Sequence, residues 1–255
     1  MSDNKISAGS YDLNKWLFGG YEKDIITTIY GASGSGKTNL CIIVAVSQAI
    51  KGKKVIFVDT EGGFSSDRVK QIVTAGNNGN KETFEKVLAN ILLLKPVNFQ
   101  EQKESIEQLL KEIKKENNIG IIIIDGMTML YRLELGDFPG AGEGEEKEKH
   151  VKETNRELAR QLRVLAEIAR NKNIPIIVTN QVYNTYIKYE DREKGIIPEV
   201  RMVGGDLLKY WSKCIIRVEN LSGKRKLALI KHRSLREKEL EFTITDSGIK
   251  RKGWM

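Results

Sequence analysis

The sequence predicts an α/β fold: a mainly parallel twisted sheet flanked by helices, closed by antiparallel strands at the C-terminal end. Three observations predict it. Five apolar, β-branched runs alternate with stretches of helical period, the pattern of strands joined by crossover helices. A glycine-rich loop separates the first run from the first helix. Three short runs then follow one another with no helix between them, as consecutive hairpin strands do.

The elements follow in order. Residues 1–20 are polar and end in Trp16-Leu17-Phe18-Gly19-Gly20, an entry segment expected to pack on the core edge. Residues 25–30 are β-branched and aromatic and read as a buried strand; residues 39–46 continue as an apolar helix. Residues 54–60 form a second buried strand before the turn Glu61-Gly62-Gly63. Ser66 is placed to cap the next helix, with Val69, Ile72 and Val73 facing inward. Residues 91–94 are a third strand. Residues 100–117 carry Ile106, Leu109, Leu110 and Ile113 at helical spacing. Residues 119–125 are a fourth strand whose four isoleucines suit burial on both faces. Residues 135–152, rich in glycine and glutamate, predict a mobile acidic loop. It runs into a long helix ending near Lys172, with Leu158, Leu162, Leu165 and Ala169 on its core face. Residues 174–180 are a fifth strand, and residues 182–205 lack a period and read as a second long loop. Residues 214–219, 226–232 and 239–245 are the short strands; in the last, Leu240, Phe242 and Ile244 alternate with polar residues.

With 255 residues, four prolines and no Ser/Gly-rich linker, the chain suits a single domain over residues 1–255. The N-terminus has no apolar signal region, and no run is long enough to span a bilayer. Cys41 and Cys214 sit in apolar runs and read as reduced core residues of a cytoplasmic protein. Two histidines and no Cys/His cluster argue against a zinc site. Residues 201–255 carry 14 Lys and Arg against 6 Asp and Glu, a surplus equal to the whole chain's +8. Such a segment attracts polyanions such as nucleic acid, or is simply a solvated lysine-rich face.

The chemistry centres on Gly31-Ala32-Ser33-Gly34-Ser35-Gly36-Lys37-Thr38, which fits the P-loop pattern G-x-x-x-x-G-K-[ST]. Its glycines let the backbone curl around phosphates with N–H groups inward. Lys37 can reach the β- and γ-phosphates, and the Thr38 hydroxyl can hold Mg²⁺. ATP with Mg²⁺ is the expected cofactor pair. Asp125, ending the fourth strand, suits the same Mg²⁺ shell. Glu61, just past the second strand, can orient a water for attack on the γ-phosphate, or it is an exposed turn residue. Gln181, after the fifth strand, can sense a terminal phosphate and pass that state to the loop behind it, or it belongs to a strand cap.

Residues 30–38, Val58-Asp59-Thr60-Glu61-Gly62, residues 121–125, Thr179-Asn180-Gln181-Val182 and Gly204-Gly205 stand in the order of the RecA/RadA recombinase ATPase core. The match runs from about residue 7 onward. The chain therefore resembles that family, which implies a RecA-like P-loop NTPase core. No N-terminal helix-hairpin-helix domain of the RadA kind is expected. Residues 129–135, Lys231-His232-Arg233-Ser234 and the short C-terminus look most like an archaeal paralogue branch of RadA.

By position, the resemblance implies that Glu61 is the catalytic glutamate and Gln181 the γ-phosphate sensor, and that Arg68 packs on the adenine. It implies that Lys231 and Arg233 form a pair reaching a neighbouring subunit's phosphates. A basic solvent face is the alternative for that pair, and an oligomer is what the trans role requires. Two loops of the family face DNA. The second, here 182–204, holds Tyr183, Tyr186, Lys188, Arg192 and Arg201, aromatic and basic residues suited to single strands. The first, 135–152, is acidic, a departure that points to DNA avoidance or to a basic partner. Gly126 stands where a serine commonly follows the aspartate, and residues 1–20 show no aromatic-x-x-alanine polymerisation tether.

The implied function is an accessory protein of DNA repair and homologous recombination. It is a weak, Mg-dependent ATPase that binds DNA and assists a RadA-type recombinase or other repair proteins without itself carrying out strand exchange. Two alternatives stand beside it: a non-hydrolytic ATP-switched partner-binding module, and a KaiC-like signalling ATPase.

Overall fold

Among the described residues, nine strands form one sheet in the computed structural model, which describes residues 4–76, 80–116, 118–136, 144–184, 200–221 and 223–252. The chain opens with a small ribbon, β1 (Lys5–Ile6) against β2 (Tyr21–Glu22), around the short helix α1 (Tyr11–Trp16). The sheet then builds from β3 (Ile26–Tyr30), β4 (Lys54–Asp59), β5 (Ile91–Leu94), β6 (Ile119–Asp125) and β7 (Ile176–Asn180). It is completed by β10 (Ser212–Leu221), β11 (Lys224–His232), β12 (Lys238–Thr245) and β13 (Gly248–Arg251). The order is β13-β12-β11-β10-β3-β7-β6-β4-β5. From β10 to β5 every pairing is parallel, and from β10 to β13 every pairing is antiparallel. The expected parallel sheet with antiparallel extension is what forms.

Helices cover both faces. On one lie α2 (Lys37–Ile50), α3 (Ser66–Thr74) and α4 (Lys81–Ala89), packed over Ile29, Val55, Phe57, Ile121 and Ile123. On the other lie α5 (Phe99–Lys115), α6 (Met129–Gly136), α7 (Glu145–Lys172) and α8 (Gly205–Trp211), packed over Ile26, Ile56, Ile122, Ile124 and Val178. The isoleucine run 121–124 is fully buried because alternate side chains feed the two layers.

Four details differ from the sequence reading. The α3 cap is Ser65, whose Oγ accepts the Arg68 N–H; Ser66 is already helical. Leu110 is exposed on α5, while Ile106, Leu109 and Ile113 are buried. Of the expected acidic loop, Leu135 and Gly136 end α6 and residues 145–152 begin α7, where three glutamates in the first turn favour a helix N-terminus; residues 137–143 lie outside the described residues. Residues 182–205 begin and end in a ribbon, β8 (Val182–Asn184) against β9 (Val200–Met202), and reach the start of α8, while residues 185–199 lie outside the described residues. Cys41 and Cys214 are buried and free; burial pushes the Cys214 thiol up to about 12. Among the described residues no helix is long and apolar enough to cross a membrane.

Candidate functional site

The site forms at the C-terminal edge of the parallel strands, where β3, β4, β6 and β7 end side by side. The chain leaves β3 at Tyr30 and enters α2 at Lys37, so residues 31–36 curl over the helix N-terminus. Gly31 passes so close to β10 that a Cβ there would lie 2.1 Å from the Val218 carbonyl oxygen. Only glycine fits at that approach. No side chain caps α2, which leaves its first amides open to an anion. Lys37 is 6 % exposed and folds back along the loop, its Nζ donating to the carbonyl oxygens of Gly31 (3.0 Å) and Ala32 (2.9 Å). Burial lowers its pKa, opposed by the carboxylates of Glu61 and Asp125.

Asp125 closes β6 and is 1 % exposed. Its Oδ1 accepts the Thr179 hydroxyl at 2.6 Å, while Oδ2 is buried without a hydrogen-bond partner. Burial raises the Asp125 pKa. The Thr179 hydroxyl and the nearby Thr38 hydroxyl pull it down, Thr38 without closing a well-formed bond to Oδ2, and the Glu61 and Asp59 carboxylates push it up. Thr38 Oγ1 and Asp125 Oδ2 converge on one point, 3.1 Å and 3.6 Å from where a Gly63 Cβ would stand. A buried carboxylate with a spare oxygen beside a hydroxyl is a donor set that fits Mg²⁺. Inside the loop, Ser35 Oγ is likewise buried without a partner. Together with the open helix amides, these observations fit a nucleotide polyphosphate.

Glu61 rides on a turn pinned by Asp59. Asp59 Oδ1 accepts the N–H groups of Glu61 (3.3 Å) and Gly63 (3.1 Å), and Oδ2 accepts that of Phe64 (2.9 Å). Thr60 Oγ1 donates to the carbonyl oxygens of Asp125 (3.0 Å) and Gly126 (2.8 Å), tying the ends of β4 and β6. Gly126 has φ +95°, and a Cβ there would stand 2.3 Å from Thr60 Oγ1 and 2.8 Å from Glu61 Cγ. Glycine at this position therefore makes room for Glu61. Gln181 Nε2 donates to Glu61 Oε2 at 3.0 Å. Asn180 beside it donates from Nδ2 to the Val203 carbonyl oxygen (2.7 Å) and accepts the Thr128 hydroxyl. The residue expected to read the γ-phosphate and the one expected to orient the attacking water thus touch, and the contact lies at the foot of β8.

Arg68 bridges α2, α3 and the β12–β13 turn. Its Nε donates to Asn39 Oδ1 (2.9 Å), Nη1 to Gln71 Oε1 (3.1 Å) and Nη2 to the Thr245 carbonyl oxygen (2.7 Å). It stands next to the residue that follows the loop. Lys231 and Arg233 lie elsewhere. β11 runs antiparallel to β10, which carries its last residues toward the N-terminal ends of β3 and β10, away from the chain's own P-loop. Lys231 Nζ donates to the Lys209 carbonyl oxygen at 2.7 Å. Arg233, just past the strand, donates to Glu22 Oε2 (2.6 Å) and to both Asp24 oxygens (3.1 and 2.9 Å).

Of the residues expected at DNA, Tyr183 is exposed on β8, and its register partner on β9 is Arg201. Tyr186, Lys188 and Arg192 lie outside the described residues. Sequence reasoning missed the supports: Asp59 and Thr60 under Glu61, Thr179 on Asp125, Thr128 on Asn180. Asp59, Thr60 and Thr179 adjoin the motif residues, and that adjacency was the available signal.

The Rad51 family model matches residues 3–252. A protein of Methanocaldococcus jannaschii named DNA repair and recombination protein RadB is 40 % identical, across 93 % of this chain and 98 % of its own length. One of Methanobrevibacter smithii with the same name is 37 % identical across 98 % of this chain and 97 % of its own. A third, from Methanosphaera stadtmanae and again so named, is 35 % identical across 98 % and 97 %. With its P-loop, paired strand-end carboxylates and glutamine in the family's order, and with matches of this length, the chain belongs to the Rad51 family.

Proposed function

We propose that this chain is a RadB-like accessory ATPase of DNA repair and recombination. It binds ATP with Mg²⁺, hydrolyses it slowly, binds DNA with single strands favoured, and assists a RadA-type recombinase without carrying out strand exchange. The observation that carries this reading is the Gln181–Glu61 hydrogen bond. It links the carboxylate suited to orienting water with the amide at the foot of β8, which opens the second loop.

In this reading the α2 amides and Lys37 hold the phosphates, and Thr38 and Asp125 would hold Mg²⁺, which supplies charge neutralisation at the phosphate oxygens. Glu61 orients the attacking water. A γ-phosphate competes for Gln181 and changes its contact with Glu61, and that change reaches β8. Slow turnover is supported by Arg233, which is engaged by Glu22 and Asp24 of its own chain. A cation supplied in trans can be worth ~10³–10⁵ in rate. The names of the relatives support the recombination setting.

The test is Glu61→Gln in a single-turnover assay of phosphate release. The expected outcome is ATP binding within about threefold of the parent and release slowed by at least ~100-fold, the scale of a lost general base. An unchanged release rate would remove Glu61 from the chemistry.

A further inference from the structure

Arg225 lies beside the P-loop with its Nε buried and without a hydrogen-bond partner. It sits second in β11, opposite Asn220 of β10 and Phe242 of β12. Leu227 and Leu229, of the same parity, are buried under α2, so Arg225 projects to that face. It does so at the end of the sheet where β10, paired with Tyr30 through Arg217, runs alongside the P-loop. A methyl placed on Gly36 would lie 3.9 Å from Arg225 Nε, 4.0 Å from its Cδ and 3.2 Å from Ile244 Cδ1.

The surroundings make this position unusual. Of the partly buried arginines among the described residues, Arg68 donates to Asn39 and to the Thr245 carbonyl, Arg160 to Glu157 and Glu107, and Arg217, whose buried Nε likewise closes no hydrogen bond, has the Glu219 carboxylate 2.9 Å away as a counter-charge. Arg225 Nε is sealed from solvent without an acceptor, and among the described residues no ion pair involves Arg225. A guanidinium cannot shed its proton to escape that cost. Its place also opposes the helix dipole. Gly36 is the N-cap of α2, the positive end of the helix, where a cation is repelled unless an anion stands between. The bland account, an aliphatic stem covering Ile244 with its head in water, explains neither the sealed Nε nor the choice of a cation at that helix end.

We propose that Arg225 is a polyphosphate-binding residue of the nucleotide site, supplied in cis from the antiparallel extension. The polyphosphate on the α2 amides gives the guanidinium its acceptor and its counter-charge. The inference rests on the P-loop reading above and adds to it a second cation, from a different strand than the loop itself.

The experiment measures affinities for ATP, inorganic tripolyphosphate and adenosine by calorimetry in the parent chain, R225Q, R225K and K37A. R225Q is expected to weaken ATP and tripolyphosphate by about tenfold, the scale of a lost charge-assisted hydrogen bond, with adenosine unchanged. R225K, which keeps the charge but not the fork, is expected to lose about threefold. If R225Q does not fold, R225K decides alone, and affinity equal to the parent overturns the proposal. R225Q within about twofold of the parent for both phosphates overturns it too, as does an equal loss for adenosine. A parent chain that binds no ATP, or a K37A chain that binds it undiminished, overturns the P-loop reading itself. Loss in K37A with no effect in R225Q overturns Arg225 alone.

Discussion

At the C-terminal edge of the sheet, several charged and titratable groups are brought together and left with spare valence. Asp125 Oδ2 and Arg225 Nε are sealed without partners, and Lys37 is buried with only backbone carbonyls to hold it. Toward the opposite end, cations are closed off by the chain itself. Arg233 is held by Glu22 and Asp24, Lys5 lies 3.8 Å from Glu22, and Lys231 donates to the Lys209 carbonyl. The fold tolerates the first arrangement only at a cost, because a buried charge without a partner is destabilising. Charges left open at one end, beside closed ones such as Asp59 and Arg68, mark that end as the one built around a ligand.

Substitutions at the open end sharpen the contrast most. Lys37→Ala should weaken ATP binding by at least ~100-fold, since it removes the only cation inside the loop's curl; displacement of a fluorescent ATP analogue measures it. Asp125→Asn should do two opposite things. It should abolish the Mg²⁺-dependent part of nucleotide affinity. In nucleotide-free protein it should raise Tm by about 2–4 °C, the equivalent of about 1 kcal/mol at this chain length. Asp125 binds its proton more tightly folded than unfolded. Its penalty is therefore absent at low pH, grows as pH rises through the usual carboxylate range, and is complete above the raised pKa. The advantage of the asparagine should accordingly vanish on acidification, and thermal melts across the pH range read it. A melt lowered by Asp125→Asn at neutral pH would contradict an uncompensated carboxylate.

The closed end should behave as structure. Arg233→Ala leaves Glu22, 7 % exposed, without its nearest partner. The expected cost is about 1–2 kcal/mol, discounted because Arg233 is itself a third exposed, with ATP affinity of the dilute chain unchanged. A changed ATP affinity would erase the distinction between the two ends.

Much of this was legible in the sequence because it lies in short, strongly patterned stretches. The isoleucine run of β6, the P-loop between strand and helix, and the order of Glu61, Asp125 and Gln181 all survive into the structure. What escaped was of two kinds. The helices α4 and α6 are short and flank longer signals; Val87 is the only buried residue of α4, too little apolar content to reveal a period. The start of α7 was masked by its charge, since Glu145, Glu146 and Glu148 read as loop composition when they are the first turn of a helix. The second kind is tertiary. That Gly126 makes room for Glu61, that Thr179 holds Asp125, and that Arg225 reaches Gly36 depend on which strands lie side by side. No local spacing encodes that. Lys231 and Arg233 were legible as a pair, but the closure of Arg233 by Glu22 and Asp24 was not, because 209 residues separate Arg233 from Asp24.

In the proposed function, nucleotide state, read where Gln181 meets Glu61, reaches the second loop. The most direct measurement is fluorescence anisotropy of a labelled single-stranded DNA at two salt concentrations. It is run with no nucleotide, with ADP and with a non-hydrolysable ATP analogue, for the parent chain and Gln181→Ala. Binding is expected to fall steeply with salt, as phosphate contacts require, and to change between nucleotide states in the parent but not in the variant. Equal affinity in every nucleotide state of the parent, or no binding at low salt, would contradict it.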